Sequence, residues 1–86
     1  MATYCVLYWQ EIPSQVKAED DDGGEANVLM SPKFAARIDD AAMDRGFRDA
    51  DNYLAQWHWS EEQDRDGSAQ DVAEAVRAEL EAAAKW

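Results

Sequence analysis

His58 is the one histidine of the chain, and it stands between Trp57 and Trp59. An imidazole in such a setting could act as a general base, because histidine titrates near neutral pH. A transfer or hydrolytic site would also need a serine or cysteine nucleophile beside it. Nothing in the spacing places one there, so a solvent-facing strand histidine is the simpler reading. Cys5 lies inside the apolar run Thr3 to Trp9, where a buried, inert thiol is the default. One histidine and one cysteine cannot build a zinc site without carboxylates. Glu62, Asp64, Asp66 and Gly67 fit alternate positions of a calcium loop. Ala73 stands where the bidentate glutamate belongs, and no entering helix is evident. The run Asp20-Asp21-Asp22 lacks ligand spacing and reads as a solvated hairpin tip. Gly23-Gly24 is followed by no Lys-Ser/Thr, so it is no phosphate loop. The residues name no reaction; the expectation is no catalytic residue, no cofactor and no metal.

The elements that position these residues are clearer. Thr3 to Trp9 is rich in aromatic and β-branched types, with apolar residues on both faces, as a central strand requires. Pro13 cannot donate to a ladder and is expected to mark a break. Residues 15–19 and 26–30 should pair as a hairpin, with Gly23-Gly24 supplying positive φ at its tip. Ser31-Pro32 reads as an N-cap followed by proline at the first helical position. Phe34, Ile38, Ala41 and Ala42 then fall on one helical face. Arg45 suits the last turn, Gly46 the C′ position, and Phe47 should fold back. Asp51 is expected to cap a single helical turn over 52–55. Residues 56–61 alternate as a strand, and 61–67 reads as a polar loop. Ser68 with Asp71 resembles a capping box for a final helix over 69–84, whose stripe is Val72, Val76, Leu80 and Ala83.

The predicted fold is therefore α+β: one domain over residues 1–86, a small and mainly antiparallel sheet in the order β-β-β-α-β-α. Two helices should pack on one face to bury their stripes. At this length about 60% of the unfolded surface is buried, so the core is small.

The net charge is −11, with 19 acidic residues against 8 basic ones. Phosphate neutralisation needs clustered cations, so nucleic-acid binding is excluded as an expectation. Anionic membranes are disfavoured for the same reason. The surplus suits a solvated acidic surface, or a basic protein partner reached by electrostatic steering. The opening residues lack the pattern of a signal peptide, no run is long enough to span a membrane, and a single cysteine can form no internal disulfide. A cytoplasmic protein is expected.

The pattern Tyr8-Trp9, Ile12-Pro13-Ser14-Gln15-Val16, Phe34…Ile38-Asp39…Ala41-Ala42-Met43…Gly46 continues with Asp51-x-Tyr53-Leu54, Trp57-x-Trp59 and Val72-Ala73-Glu74. It resembles a small bacterial family labelled "virulence factor", of roughly ninety residues, over nearly the whole chain. The resemblance implies a cytoplasmic, non-catalytic accessory or protein-interaction module. Relatives joined to an iron–sulfur-scaffold-like domain, or encoded near corrinoid- and folate-dependent proteins, imply an alternative: a component of one-carbon (methyl-transfer) metabolism that touches substrate or cofactor directly. The chain departs from the family at Asp20-Asp21-Asp22, where a more basic turn is expected.

A protein partner, or self-association, then needs a surface. Period-two alternation puts Trp57 and Trp59 on one face of their strand and Gln56, His58 and Ser60 on the other. With the indoles turned to the helices, His58 would lie on the open face. Gln15, Gln56, His58, Ser60 and Tyr8 form the predicted contact surface. Ile12 and Val16 are expected in the core, with Gln15 holding loop backbone or presenting a polar contact.

Overall fold

A computed structural model describes residues 1–47 and 49–85. Its elements are β1 (Ala2–Trp9), β2 (Ile12–Asp20), β3 (Glu25–Leu29), α1 (Pro32–Asp44), α2 (Ala50–Leu54), β4 (Trp57–Trp59), β5 (Gln63–Arg65) and α3 (Ala69–Ala83). The sheet has five strands in the order β3-β2-β1-β4, with β5 pairing the other end of β1. Every pairing is antiparallel. The predicted α+β class and element order hold, with one strand added.

That added strand corrects the polar loop expected at 61–67. Gln63, Asp64 and Arg65 pair with Tyr4, Thr3 and Ala2. The polar residues Gln63, Asp64 and Arg65 carry no apolar alternation, so periodicity could not find an edge strand of this kind. The backbone of β1 supplied the reason, because its free edge had donors and acceptors to satisfy.

Pro13 does not end a strand either. Leu7 pairs with Gln15 and Tyr8 with Pro13, so Ser14 is the extra residue of a β-bulge. A bulge tolerates a proline that a regular ladder excludes. The Ser14 carbonyl is not wasted, since it accepts from Met30 N at 3.0 Å.

Alternation sorts β1 into two faces. Ala2, Tyr4, Val6 and Tyr8 share one side with Val16, Ala18 and Ala26, and α3 covers it. Val72, Ala73 and Val76 of α3 are buried against that layer, and Phe34, Ile38, Ala41 and Ala42 of α1, which meets β2, are buried as well. Ile12 and Val16 are buried as expected. Trp9 is fully buried at the end of β1, its ring 5.5 Å from Phe47 and 5.6 Å from Tyr53. Its indole N–H donates to the Tyr53 carbonyl at 3.1 Å, so the polar edge of a buried indole is satisfied.

The helix termini follow their sequence signals with two exceptions. Phe47 N donates to Ala42 O at 2.8 Å and Gly46 N to Met43 O at 3.2 Å, the two bonds of a Schellman motif around Gly46 at φ 80°. Ser68 Oγ accepts from Asp71 N at 3.2 Å. Ser31 makes no such bond, and its buried hydroxyl has no hydrogen-bond partner. Asp49, rather than Asp51, caps α2 by accepting from Asp51 N.

Candidate functional site

The sheet presents two surfaces, one on each side. The first is the face that α3 leaves uncovered. Register places Leu29, Gln15, Leu7 and Trp59 side by side in one row across β3, β2, β1 and β4. Leu29 is 67% exposed and Trp59 47% exposed, with Leu7 half-buried between them. The next row is Asn27, Lys17 and Cys5, and the row after it is Glu25, Glu19, Thr3 and Asp64. Glu62 joins this acidic side beside Cys5 and Lys17. The open face thus carries an apolar row interrupted by Gln15 and, beyond the row of Asn27, Lys17 and Cys5, a group of carboxylates. Burial pushes the Cys5 thiol up, and the Glu62 carboxylate adds to the shift. A thiol held protonated is a poor nucleophile.

The second surface is a cleft of about 360 Å³ on the helical side, between the start of α1 and the end of α3. Ile12, Phe34, Leu80 and Ala84 make its apolar walls, and Tyr8, Glu11, Arg37 and Lys85 bring polar groups to it. Burial raises the Tyr8 phenol further above its usual range, so its hydroxyl stays a donor.

A polar cluster joins these surfaces around the two-residue turn Gln10-Glu11. Gln10 has φ 54°, in the left-handed region that costs a non-glycine residue. Its backbone is held from several sides. Gln10 N donates to Gln56 O at 3.1 Å, and His58 Nε2 lies 2.8 Å from Gln10 O. A carbonyl only accepts, so that contact needs the proton on Nε2. The side-chain amide of Gln10 donates to Gln56 Oε1 at 3.1 Å and accepts from Arg45. Arg45 also grips Glu11 with both guanidinium nitrogens, at 2.6 and 3.0 Å. That fork holds the Glu11 carboxyl below the usual carboxylate range.

The predicted contact surface is therefore split. Gln15 lies on the open face. Tyr8 and His58 pair across β1 and β4 on the helical side, their rings stacked at 5.7 Å. The expected orientation of β4 is corrected: Trp59, not His58, faces the open side. The cause is register, since β4 pairs residue for residue with β1, and Tyr8 already points to the helices. Trp57 pairs with Trp9 and packs against Tyr53, so the two indoles share a face but not an environment. Gln56 serves the turn. Ser60 bridges the gap between β4 and β5: its Oγ accepts from Val6 N at 2.9 Å, and its own N–H donates to Val6 O at 2.8 Å. Among the described residues no hydrogen bond of the Gln15 side chain holds loop backbone; Gln56 Nε2, donating to Asn52 O at 3.3 Å, and His58 Nε2, at Gln10 O, hold it instead.

A family model described as "Virulence factor" matches residues 7–85. The chain belongs to the virulence factor family. No curated protein and no solved structure matches it. The matched span includes the turn cluster, the cleft, all three helices and the open face apart from Thr3 and Cys5 of this virulence factor domain. Among its described residues, no three histidines, cysteines or acidic groups are gathered to hold a metal ion. No described helix is long and apolar enough to cross a membrane.

Proposed function

We propose that this virulence factor family protein is a non-catalytic, cytoplasmic interaction module that docks a basic protein partner on its open sheet face. The observation that carries the reading is the row in which Leu29 and Trp59 are exposed and Leu7 is half-buried, on the same face as the carboxylates of Glu19, Glu25, Glu62 and Asp64. Trp is a preferred interface anchor, and a flat apolar patch with a charged rim has the anatomy of a docking surface. A net charge of −11 selects a basic partner and opposes a second copy of the same chain.

The test is a photo-crosslinking residue placed at Leu29 in the native cell, followed by titration of the purified adduct partner. The expected partner is basic. Its affinity should fall more than tenfold with Trp59→Asp and weaken steadily as salt rises, because charges at a rim are screened. An adduct only with a second copy of this chain, or affinity indifferent to Trp59→Asp, would overturn the reading.

A further inference from the structure

We propose that β3 is a docking edge: an extended, basic segment of a protein partner adds to it as a further antiparallel strand, alongside the open face. The inference rests on the reading above for the basic character of the partner, and it names how that partner is held.

Backbone comes first. Met30 N donates to Ser14 O at 3.0 Å and Asp20 N to Gly24 O at 2.9 Å. Both bonds join residues that stand opposite each other in the β2–β3 register, which pairs Gln15 with Leu29 and Glu19 with Glu25. Hydrogen-bonded and non-hydrogen-bonded pairs alternate along an antiparallel ladder. Val28 and Ala26 are therefore bonded to β2. The N–H and C=O groups of Glu25, Asn27 and Leu29 point the other way, to the free edge. Among the described residues, no side chain or loop backbone takes these groups up. The same three residues are the exposed ones of the strand.

Such an edge templates the addition of another chain unless shortness, proline, lysine or a bulge blunts it. The opposite edge of the sheet is blunted in this way, being divided between β4 and β5 of three residues each. β3 runs five residues, in unbroken register with β2, and carries none of these devices.

Side chains then select the added strand. Glu19 and Glu25 are like charges directly opposite each other, in a non-hydrogen-bonded pair where side chains approach most closely. Lys17 stands in the neighbouring row, opposite Asn27, one cation beside two carboxylates. A lysine or arginine set opposite Glu25 by the added strand relieves the repulsion. An apolar residue opposite Leu29 covers a side chain that is 67% exposed. A second copy of β3, paired antiparallel about Asn27, sets leucine opposite Glu25 and leaves the repulsion in place.

The probe is the capped hexapeptide Ile-Val-Thr-Val-Lys-Lys, with isoleucine opposite Leu29 and the first lysine opposite Glu25. It is titrated into the full chain and followed by amide hydrogen exchange. In the free protein the amides of Asn27 and Leu29 should exchange fast and those of Ala26 and Val28 slowly. Bound peptide should slow Asn27 and Leu29 several-fold. N-methylation of the threonine, whose amide faces β3, should abolish binding; N-methylation of the second valine, whose amide faces away, should not. Glutamate in place of both lysines should weaken binding roughly tenfold. Glu25→Lys changes an exposed side chain and should reverse that preference. Asn27→Pro removes an outward donor while leaving the β2 ladder its bonds, and should abolish binding. The N-methyl pair, read on the unaltered chain, decides the matter even if that variant unfolds. Several results would each overturn the proposal: no protection of Asn27 and Leu29, equal binding of the two N-methyl peptides, equal binding of the lysine and glutamate peptides, or protection without peptide that grows with protein concentration, the mark of a second copy. Trp59→Asp should leave peptide binding intact. A partner whose affinity falls with Trp59→Asp but not with Asn27→Pro would remove this inference and leave the docking face standing.

Discussion

Strand β2 is entered through Gln10-Glu11 and left through Asp20–Gly24, and each turn is tied to the terminus of a helix. At the entry, Arg45 at the C-cap of α1 reaches out to Gln10 and Glu11. At the exit, Asp20 accepts from Asp22 N at 3.1 Å and Gly24 N at 2.7 Å, and its second oxygen accepts from Ala69 N, the first residue of α3, at 3.0 Å. A cation thus serves a helix C-terminus and an anion a helix N-terminus, each the sign the dipole favours. The difference lies in where the specificity resides. The exit turn is built from backbone donors around one carboxylate, with Gly23 at φ 84° taking the left-handed position freely. The entry turn puts glutamine in that position and holds it with side chains from α1, β4 and the residue before β4. The local turn is legible from its own residues; the non-local one is not.

The largest effect is expected where the entry turn meets the core. Ile12→Ala should cost about 2–5 kcal/mol of unfolding free energy, read from urea denaturation. An unchanged midpoint would mean that the turn, not the buried side chain, anchors β2.

Next comes Gly24→Ala. A Cβ there would sit 2.6 Å from Asp20 Oδ2 and 2.9 Å from Oδ1, so the carboxylate must move and surrender its three backbone donors. The variant should lower the melting temperature at least as far as Asp20→Asn, and both should speed hydrogen exchange at the Ala69 amide. Gly23→Ala has open space and only its φ to oppose it, so about 1–2 kcal/mol is expected. A larger loss for Gly23→Ala than for Gly24→Ala would reverse the assignment of the two glycines.

Acid should loosen both turns together. Bonds from Ala69 and Gly24 hold the Asp20 carboxyl below its usual range, and Arg45 does the same for Glu11. A depressed folded-state pKa contributes stability that is complete above the unfolded value, about 4, and is lost as pH falls through the folded one. Stability should therefore decline from about pH 4 downward. Asp20→Asn and Arg45→Gln should each flatten part of that decline, and a slope unchanged in both variants would remove the two carboxylates from the account.

Smaller still is Gln10→Gly, which relieves the φ of 54° but gives up the bonds to Gln56 and Arg45. The opposing contributions should leave a net change within about 1 kcal/mol. Gln10→Val keeps the strain without the bonds and should be clearly worse. The smallest effect is expected at Ser31. Ser31→Ala removes a hydroxyl that caps nothing, so stability should change by less than about 0.5 kcal/mol. Ser68→Ala, beside the Asp20 anchor, should cost about 1 kcal/mol. Comparable losses from both serines would show that the two N-caps are equivalent after all.

Much of the frame was legible because its signals are local. The strand of Tyr4, Val6 and Tyr8, the Gly46 helix stop with Phe47 folding back, and the stripe Val72, Val76, Leu80 each follow from spacing within about a dozen residues. The contact residues were less legible. Gln15, Gln56, His58, Ser60 and Tyr8 were grouped by alternation within single strands, but faces are shared only through register, and register is set by the partner strand. Pairing His58 with Tyr8 put the imidazole on Tyr8's side of the sheet and left Trp59 with Leu7 on the open side.

Sequence by itself determined the class of this protein, its acidic character and the ends of its long helices, because composition, periodicity and capping are properties of short stretches. Tertiary structure decided the rest. It placed β5 on a free edge that only β1 could offer, and it absorbed Pro13 in a bulge that only the β1 register could require. It also gathered Ile12, Phe34, Arg37 and Leu80 into one cleft across segments remote in the chain. Binding surfaces are made by such convergence, and the pattern within one segment carries no record of which other segments will face it.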